Sequence, residues 1–239
     1  MEAKKMKNKL QIKEKNFLKT KALKIISILE KNYPDAGCSL NYSNPLELFI
    51  SAILSAQTSD HQVNIVTKRL FTKFNTIEDF INISQKELEK EIHSIGLYRN
   101  KAKNIKACCK KIYEEYGGVV PSKMEELLSL PGIGRKIANV ILSTWFKKDE
   151  GIVVDTHVLR LSQRIGLSNQ KYATNVEKDL MDIIPKDKWY IFSHLLIKHG
   201  RNICKARNPL CIECNIASLC DFYQKISENF SKKIYLKLK

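Results

Sequence analysis

The sequence lacks the apolar segments that direct a chain into or across a membrane. Its first 24 residues contain nine Lys and two Glu but no Arg and no Ser, so they resemble neither a signal peptide nor a transit peptide. The most apolar stretch, residues 46–56, includes Glu47 and two Ser and is too short to span a bilayer. These absences predict an intracellular protein.

Acidic residues are scarce, above all near the two ends of the chain. The 239 residues include 41 Lys and Arg against 25 Asp and Glu, a formal net charge of +16, and residues 229–239 carry four Lys and no acid. Such charge runs are typically solvated and attract polyanions. We therefore expect a disordered basic tail over residues 1–16 and a second basic tail over residues 226–239. The body between the tails is only mildly basic, so charge suggests a nucleic-acid partner without proving it.

Signals for β-strands and for a repeat of fixed period are also missing. Apolar residues recur at helical spacing almost throughout, which predicts an all-α fold. Several helices begin with N-cap patterns: Asn44-Pro-Leu-Glu47, Ser84 with Glu87, Ser122 with Glu125 and Thr174 with Glu177. We place helices near residues 18–32, 45–56, 60–74, 77–83, 85–92, 100–116, 123–129, 135–146, 156–165, 175–183 and 187–199.

One polar segment interrupts the helical pattern most clearly. Residues 146–152 read FKKDEGI, the composition of a linker between two lobes. We expect one helical domain over residues 38–149. The second domain is expected to combine residues 17–37 with residues 150–225.

Four of the seven cysteines lie within seventeen residues, at Cys204, Cys211, Cys214 and Cys220. In an intracellular chain this crowding indicates a metal site rather than disulfides. Four thiolates suit either a tetrahedral zinc ion or an iron–sulfur cubane, and the spacing does not separate the two. Two cations in the loop after the first cysteine are expected to contact DNA phosphates, namely Lys205 and Arg207.

A glycine turn between two helices is the most informative local motif. Residues 130–142 read LPGIGRKIANVIL, in which Gly132 and Gly134 permit positive φ and close approach of the backbone. The amide groups at the start of the following helix, with Arg135 beside them, are suited to binding one phosphate of a DNA backbone. Residues 95–98, IGLY, precede another basic helix in the same way.

Lys136 lies in the first turn of the helix that follows the hairpin. The positive end of the helix dipole disfavours an ammonium ion at this position, and burial would add to that effect. A neutral amine is a nucleophile, so Lys136 is a candidate catalytic residue. The alternative is an ordinary surface lysine on an amphipathic helix.

Asp155 has two interpretations, of which the N-cap is favoured when the residue is taken alone. In the segment VVDTHVLR it directly precedes an apolar-periodic helix, where an N-cap aspartate is common. The apolar segment 151–154 before it would also carry a carboxylate into the cleft between the lobes. There an acid would accept the proton of an amine and stabilise positive charge on a sugar.

Five segments together resemble the endonuclease III family, the bifunctional DNA glycosylase/lyases of the helix-hairpin-helix superfamily. They are NPLELFISAILSAQTSD, IGLYRNKAKNI, LPGIGRKIANVIL, VVDTHVLR and HGRNICKARNPLCIECNIASLC. The resemblance covers residues 40–222 and leaves out both basic tails. It implies a two-lobed helical fold, with a 4Fe-4S cluster on the four cysteines.

The resemblance also implies roles for individual residues. Lys136 is expected to attack C1′ of a damaged nucleotide through a Schiff base, with Asp155 as its activating carboxylate. Gln57 and Leu97 resemble the wedge residues that fill the space left by an extruded nucleotide. Their alternative roles are a polar helix end and a hydrophobic staple. His157 is expected to contact DNA.

We therefore expect a monomeric, nucleoid-associated repair enzyme that excises oxidised or ring-saturated pyrimidines from duplex DNA and cuts the strand 3′ to the abasic site. The alternatives are a mismatch- or modified-base glycosylase of the same superfamily, a noncatalytic DNA-binding or redox-sensing module, and a zinc-ribbon protein. The related adenine mismatch glycosylases lack a lysine at position 136 and carry an additional C-terminal domain. Ile137 replaces the Thr that many relatives have, which changes the packing around Lys136 without removing its amine.

Overall fold

The computed structural model describes residues 2–237, with side chains described for residues 10–229. Within these residues the chain forms α-helices and short 3-10 turns and no β-strand, which confirms the expected all-α class. None of the described helices is both long enough and apolar enough to cross a membrane. The α-helices are α1 (Glu2–Asn32), α2 (Pro45–Leu54), α3 (Asp60–Leu70), α4 (Ile77–Asn82), α5 (Gln85–Glu91), α6 (Tyr98–Tyr116), α7 (Met124–Leu128), α8 (Arg135–Thr144), α9 (Thr156–Ile165), α10 (Ala173–Ile183), α11 (Trp189–Asn202) and α12 (Asp221–Lys237).

The ends of the chain differ from the sequence prediction. Residues 2–16, which were expected to be disordered, belong to α1, and residues 226–237 of the second expected tail belong to α12. Lys, Leu, Met, Glu and Ala are strong helix formers, so the summed propensity of a long segment outweighs repulsion between like charges. Residues 1, 238 and 239 of the two tails lie outside the described part of the chain.

The structure divides into two compact units. One unit is Cys38–Glu150, and the other combines Met1–Gly37 with Gly151–Lys239. In the first unit the buried core includes Leu48, Phe49 and Phe80, and α2 packs against α6 and α8. The largely apolar sequence of α2, interrupted by Glu47 and Ser51, follows from this burial, because neighbouring helices enclose most of its surface.

The second unit has its own core, in which α1 packs against α10 and α11 while α9 packs against α11. Ile25 and Leu29 anchor the C-terminal half of α1 in this core. The buried ammonium of Lys21 pairs with Asp221 Oδ1 at 2.6 Å and donates to the Ile165 carbonyl at 2.6 Å. This pair joins α1 to the start of α12 and the end of α9.

Two of the predicted N-caps are confirmed and two are wrong. Asn44 Oδ1 accepts from the Glu47 amide at 2.9 Å, and Ser84 Oγ accepts from the Glu87 amide at 3.1 Å. Ser122 does not cap α7, because its carbonyl and hydroxyl oxygens instead accept from Lys148 Nζ. Thr174 also does not act as a cap, because α10 already begins at Ala173.

Three lysines of α6 hold the carbonyl ends of other helices in the same unit. Lys101 donates to carbonyls at the end of α2, Lys106 to those at the end of α4, and Lys111 to Ser129 after α7. The last carbonyls of a helix have no partner within the helix, so a lysine ammonium satisfies them well. The long helix α6 therefore fixes the ends of three shorter helices around it.

Candidate functional site

The glycine hairpin joins α7 to α8 and is anchored by two buried apolar side chains, Leu130 and Ile133. Gly132 has φ 75°, which favours glycine, and a Cβ atom there would lie 2.2 Å from Asn104 Nδ2, so any other residue would be strained and would have to displace the Asn104 side chain. Gly134 has φ −97°, and a Cβ there would meet no atom within 4 Å. The hairpin therefore favours glycine at the first position but not at the second.

The start of α8 offers backbone amides to an anion. Gly134 occupies the N-cap and provides no side-chain acceptor, so the first amides of α8 lack the usual cap. Unsatisfied amides at the positive end of a helix dipole attract a phosphate group. The exposed Arg135 adds a guanidinium group close to this helix end and donates to the Glu150 carbonyl at 3.1 Å.

Lys136 is exposed in the first turn of α8. Its Nζ makes no hydrogen bond or ion pair with the described residues of its own unit. An exposed amine without an internal partner is accessible to a substrate from outside. Its neighbour Ile137 is half-buried and packs against the core of the unit.

Asp155 is the N-cap of α9, as the simpler interpretation predicted. Its Oδ1 accepts from the amides of His157 and Val158, both at 2.8 Å. Its Oδ2 accepts no hydrogen bond from the described residues of the same unit. The cap fixes the orientation of the carboxylate while leaving one oxygen for chemistry, so the two interpretations of Asp155 are compatible.

Gln57 and Leu97 both have left-handed backbone conformations, with φ 55° and 58°. Left-handed φ costs a residue other than glycine about 1–2 kcal/mol, so the surrounding structure must hold both. Both side chains are exposed, Leu97 at 56%. A Cβ placed on Gly96 would lie 3.6 Å from the Gln57 carbonyl and 3.5 Å from Thr58 Oγ1, so the two turns lie side by side.

Sequence reasoning overlooked Lys101, which lies beneath these two turns. It is only 5% exposed and donates to Leu54 O at 2.8 Å, Ala56 O at 2.5 Å and Thr58 Oγ1 at 3.1 Å. Burial lowers the pKa of its ammonium to about 8. The available signal was a lysine on the apolar stripe of α6, in register with Ile105 and Ile112.

All four clustered cysteines line one pocket. None forms a disulfide. Burial raises the pKa of the Cys214 thiol to about 11, so a thiolate there requires a cation such as iron. Arg164 NH1 lies 3.4 Å from Cys204 Sγ, and His199 Nε2 lies 3.4 Å from Cys214 Sγ. Sequence reasoning had not identified Arg164, a cation suited to offset the charge of sulfur ligands.

The four cysteines of this pocket supply the donor set that an iron–sulfur cubane requires, namely four thiolates on one site.

Arg164 of α9 holds the basic loop that follows Cys204. Arg164 donates to the carbonyls of Lys205 at 2.8 Å and Ala206 at 3.0 Å. Lys205 and Arg207 are exposed on this loop, as a phosphate contact requires. His157, in the first turn of α9, packs against Gly200, where a Cβ would lie 2.8 Å from His157 Nδ1.

Comparisons with known proteins agree with this site. Residues 50–186 match the model of the HhH-GPD superfamily of base excision DNA repair proteins, and residues 204–220 match the iron–sulfur binding domain of endonuclease III. Endonuclease III of Synechocystis is 50% identical over 84% of this chain and 92% of its own length. The Escherichia coli protein is 38% identical over 87% of this chain and 98% of its own.

Solved structures give the same result. A trapped covalent intermediate of an endonuclease III with DNA has a TM-score of 0.83 and 46% identity, over 87% of this chain and 98% of that one. The matched iron–sulfur domain contains all four clustered cysteines, which confirms the expected cluster. The chain therefore belongs to the endonuclease III family of base excision repair enzymes, acts as a DNA glycosylase and AP lyase, and binds a 4Fe-4S cluster.

Proposed function

We propose that this enzyme excises oxidised or ring-saturated pyrimidines from duplex DNA, with Lys136 as nucleophile and Asp155 as its activating carboxylate. It acts as a monomer on nucleoid DNA inside the cell. The single observation that carries the proposal is the exposed amine of Lys136, which directly follows a hairpin whose amides are suited to a phosphate. A phosphate bound there would place the adjoining sugar beside the amine.

The chemistry proceeds in two steps. Lys136 Nζ attacks C1′ of the extruded nucleotide, the new C–N bond replaces the glycosidic bond, and the base leaves with a proton. The sugar ring then opens to a Schiff base with Lys136. Loss of a proton from C2′ breaks the bond between C3′ and its oxygen and cuts the strand 3′ to the abasic site.

Asp155 accepts the proton of the attacking amine and stabilises positive charge on the sugar. Two amide donors already bind its Oδ1, so that oxygen is less available as a base. We therefore assign the proton transfer to Oδ2. The N-cap bonds keep the carboxylate in one orientation during the reaction.

Recognition of DNA combines two kinds of contact. Some residues bind phosphates, and others fill the space that the extruded nucleotide leaves in the base stack. The hairpin amides of Gly132 and Gly134, with Arg135, position one strand, while His157, Lys205 and Arg207 contact further phosphates. Gln57 and Leu97 occupy the space of the extruded nucleotide. Extrusion costs a few kcal/mol, least for a damaged base that stacks poorly.

The cysteine centre has a structural role in this proposal. When bound, the 4Fe-4S cluster supplies Fe–S bonds that join Cys204, Cys211, Cys214 and Cys220. Arg164 of α9 binds the backbone of the adjoining loop and so presents Lys205 and Arg207 in a fixed position. The oligomeric state is checked by light scattering with and without DNA.

Borohydride trapping on duplexes with single lesions tests the proposal. The native enzyme should form a covalent adduct on thymine glycol and on other oxidised pyrimidines, and Lys136→Gln should form none. Lys110→Gln, which removes an exposed lysine far along α6, is the matched control and should trap normally.

Each alternative gives its own result in this assay. Adducts only on mismatched or alkylated bases would assign the enzyme to another substrate class. Equal trapping by the native protein and Lys136→Gln would remove Lys136 as nucleophile. Binding of lesions without excision or trapping would indicate a noncatalytic DNA-binding module.

A further inference from the structure

The environment of Lys101 is unusual for a lysine. Charged side chains are rarely buried unless paired, and this ammonium is buried against three neutral oxygens. Two of the acceptors belong to Ala56 and Thr58, which flank Gln57 on either side. The ammonium therefore sits directly beneath the left-handed turn that presents Gln57.

The same residue also closes the second turn. The Lys101 amide donates to the Leu97 carbonyl at 3.1 Å, which forms the first turn of α6 after the left-handed Leu97. Lys101 is thus bonded through its side chain to one turn and through its backbone to the other. The close approach of Gly96 to Thr58 adds a packing contact between the turns.

We propose that Lys101 is a positioning residue that joins the Gln57 and Leu97 turns into one rigid wedge for entering the duplex. This inference rests on the proposed role of Gln57 and Leu97 in filling the vacated stack. A preorganised wedge does not have to order its own backbone at the moment of insertion. Without the ammonium, the carbonyls of Leu54 and Ala56 lose their donor, and the Gln57 turn is free to leave its strained conformation.

Lys106 provides a matched comparison within the same helix. Its ammonium also binds carbonyls at a helix end, those of Ile81 in the last turn of α4 and of the following Ile83, but α4 carries no proposed wedge residue. Lys106→Met therefore removes a similar helix cap from the same unit and leaves the two turns intact. A purely structural role for Lys101 would make the two variants behave alike.

The experiment compares iron–sulfur-loaded native enzyme with Lys101→Met and Lys106→Met in two assays. The first is excision of a damaged pyrimidine from duplex DNA. The second is borohydride trapping on a single-stranded oligonucleotide with an abasic site, where no base has to leave a stack. Thermal melting of each variant reports the loss of the helix cap.

Lys101→Met should lower duplex excision by about tenfold or more, because a misplaced wedge impairs extrusion of the damaged nucleotide. It should change single-strand trapping by no more than about twofold, because that substrate has no base to extrude. Lys106→Met should melt at a similarly reduced temperature yet keep the native ratio of the two activities. Equal losses of both activities in Lys101→Met, or the same altered ratio in Lys106→Met, would overturn the proposal.

A second variant keeps the proposal testable if Lys101→Met does not fold. Thr58→Val removes one acceptor without changing the size of the side chain and should lower duplex excision in the same selective way, by about threefold. An unchanged ratio in Thr58→Val would then count against the proposal.

The wedge itself is tested separately with the double variant Gln57→Ala, Leu97→Ala. Full excision by the double variant would overturn the wedge assignment, and the Lys101 proposal with it. Loss of excision in the double variant with full excision in Lys101→Met would overturn the Lys101 proposal alone.

Discussion

The turns before α6 and before α8 share a sequence pattern but differ in what they expose. In the turn before α8 the left-handed residue is Gly132, and the apolar residue beside it, Ile133, is buried. In the turn before α6 the left-handed residue is Leu97 itself, and its side chain is exposed. The first turn therefore presents backbone amides, and the second presents an apolar side chain.

This difference shows how one local motif serves two kinds of DNA contact. Amides at a helix start suit a phosphate, which carries no sequence information, whereas an exposed leucine suits the space between bases. Helix α6 supports both turns. It holds the turn before α6 through the Lys101 amide, which donates to the Leu97 carbonyl at 3.1 Å. It holds the turn before α8 through Asn104 and through Cys108, whose thiol donates to the Pro131 carbonyl at 3.2 Å. The backbone conformation of one residue decides which contact each turn makes.

Gly132→Ala is expected to have the largest effect. The added Cβ would clash with Asn104, and the alanine would have to adopt an unfavourable positive φ. The variant should therefore lose roughly 2 kcal/mol or more of unfolding free energy. Affinity for damaged and undamaged duplexes should fall together, by about tenfold, because a phosphate contact is lost. Urea unfolding and fluorescence anisotropy measure the two effects.

Asn104→Ala provides the control for Gly132→Ala. Combined with Gly132→Ala it removes the clashing amide but leaves the unfavourable φ, so it should restore only part of the stability. A fully stable Gly132→Ala single variant would contradict the requirement for glycine in this turn.

Leu97→Gly should separate stability from activity. Glycine relieves the left-handed strain at a position that buries little surface, so the unfolding free energy should rise by about 1 kcal/mol. Duplex excision should nevertheless fall by about tenfold, because no side chain fills the vacated stack. Thermal melting and single-turnover excision measure the two changes.

Leu97→Ala is the matched variant, since it removes the side chain and keeps the strain. It should lose the same activity without the gain in stability. If Leu97→Gly excised damaged bases at the native rate, the distinction between the two turns would fail.

Gly134→Ala is expected to have the smallest effect. Its φ is ordinary for any residue and its Cβ would meet no neighbour, so the unfolding free energy should change by no more than about 0.5 kcal/mol. Thermal melting checks this directly. A loss as large as that of Gly132→Ala would show that both glycines are required.

Local features of the fold were predictable from the sequence because they depend on neighbouring residues. The Asn44 and Ser84 caps and the glycine hairpin all involve contacts over a few positions. The Ser122 cap was mispredicted because a lysine 26 positions away takes its oxygens. The extent of α1 was missed because charge repulsion was weighted above helix propensity.

Site residues were predictable from the sequence where they lie in a motif whose residue types indicate the chemistry. Lys136, Asp155 and the cysteines lie in recognisable segments, whereas the acceptors of Lys101 lie 43 to 47 positions before it in the chain. The sequence shows a lysine on an apolar stripe but not the carbonyls that it binds. The pairing of Arg164 with the cysteine loop was missed for the same reason.

The lysines of α6 also bear on how the charge of this protein is to be counted. Lys101, Lys106 and Lys111 direct their ammonium groups toward carbonyl oxygens of the protein itself. These cations are therefore not available to displace counterions from a nucleic acid. The salt dependence of DNA binding will therefore reflect fewer positive charges than the formal +16. Amine-modifying reagents will react more slowly with these three lysines than with exposed lysines.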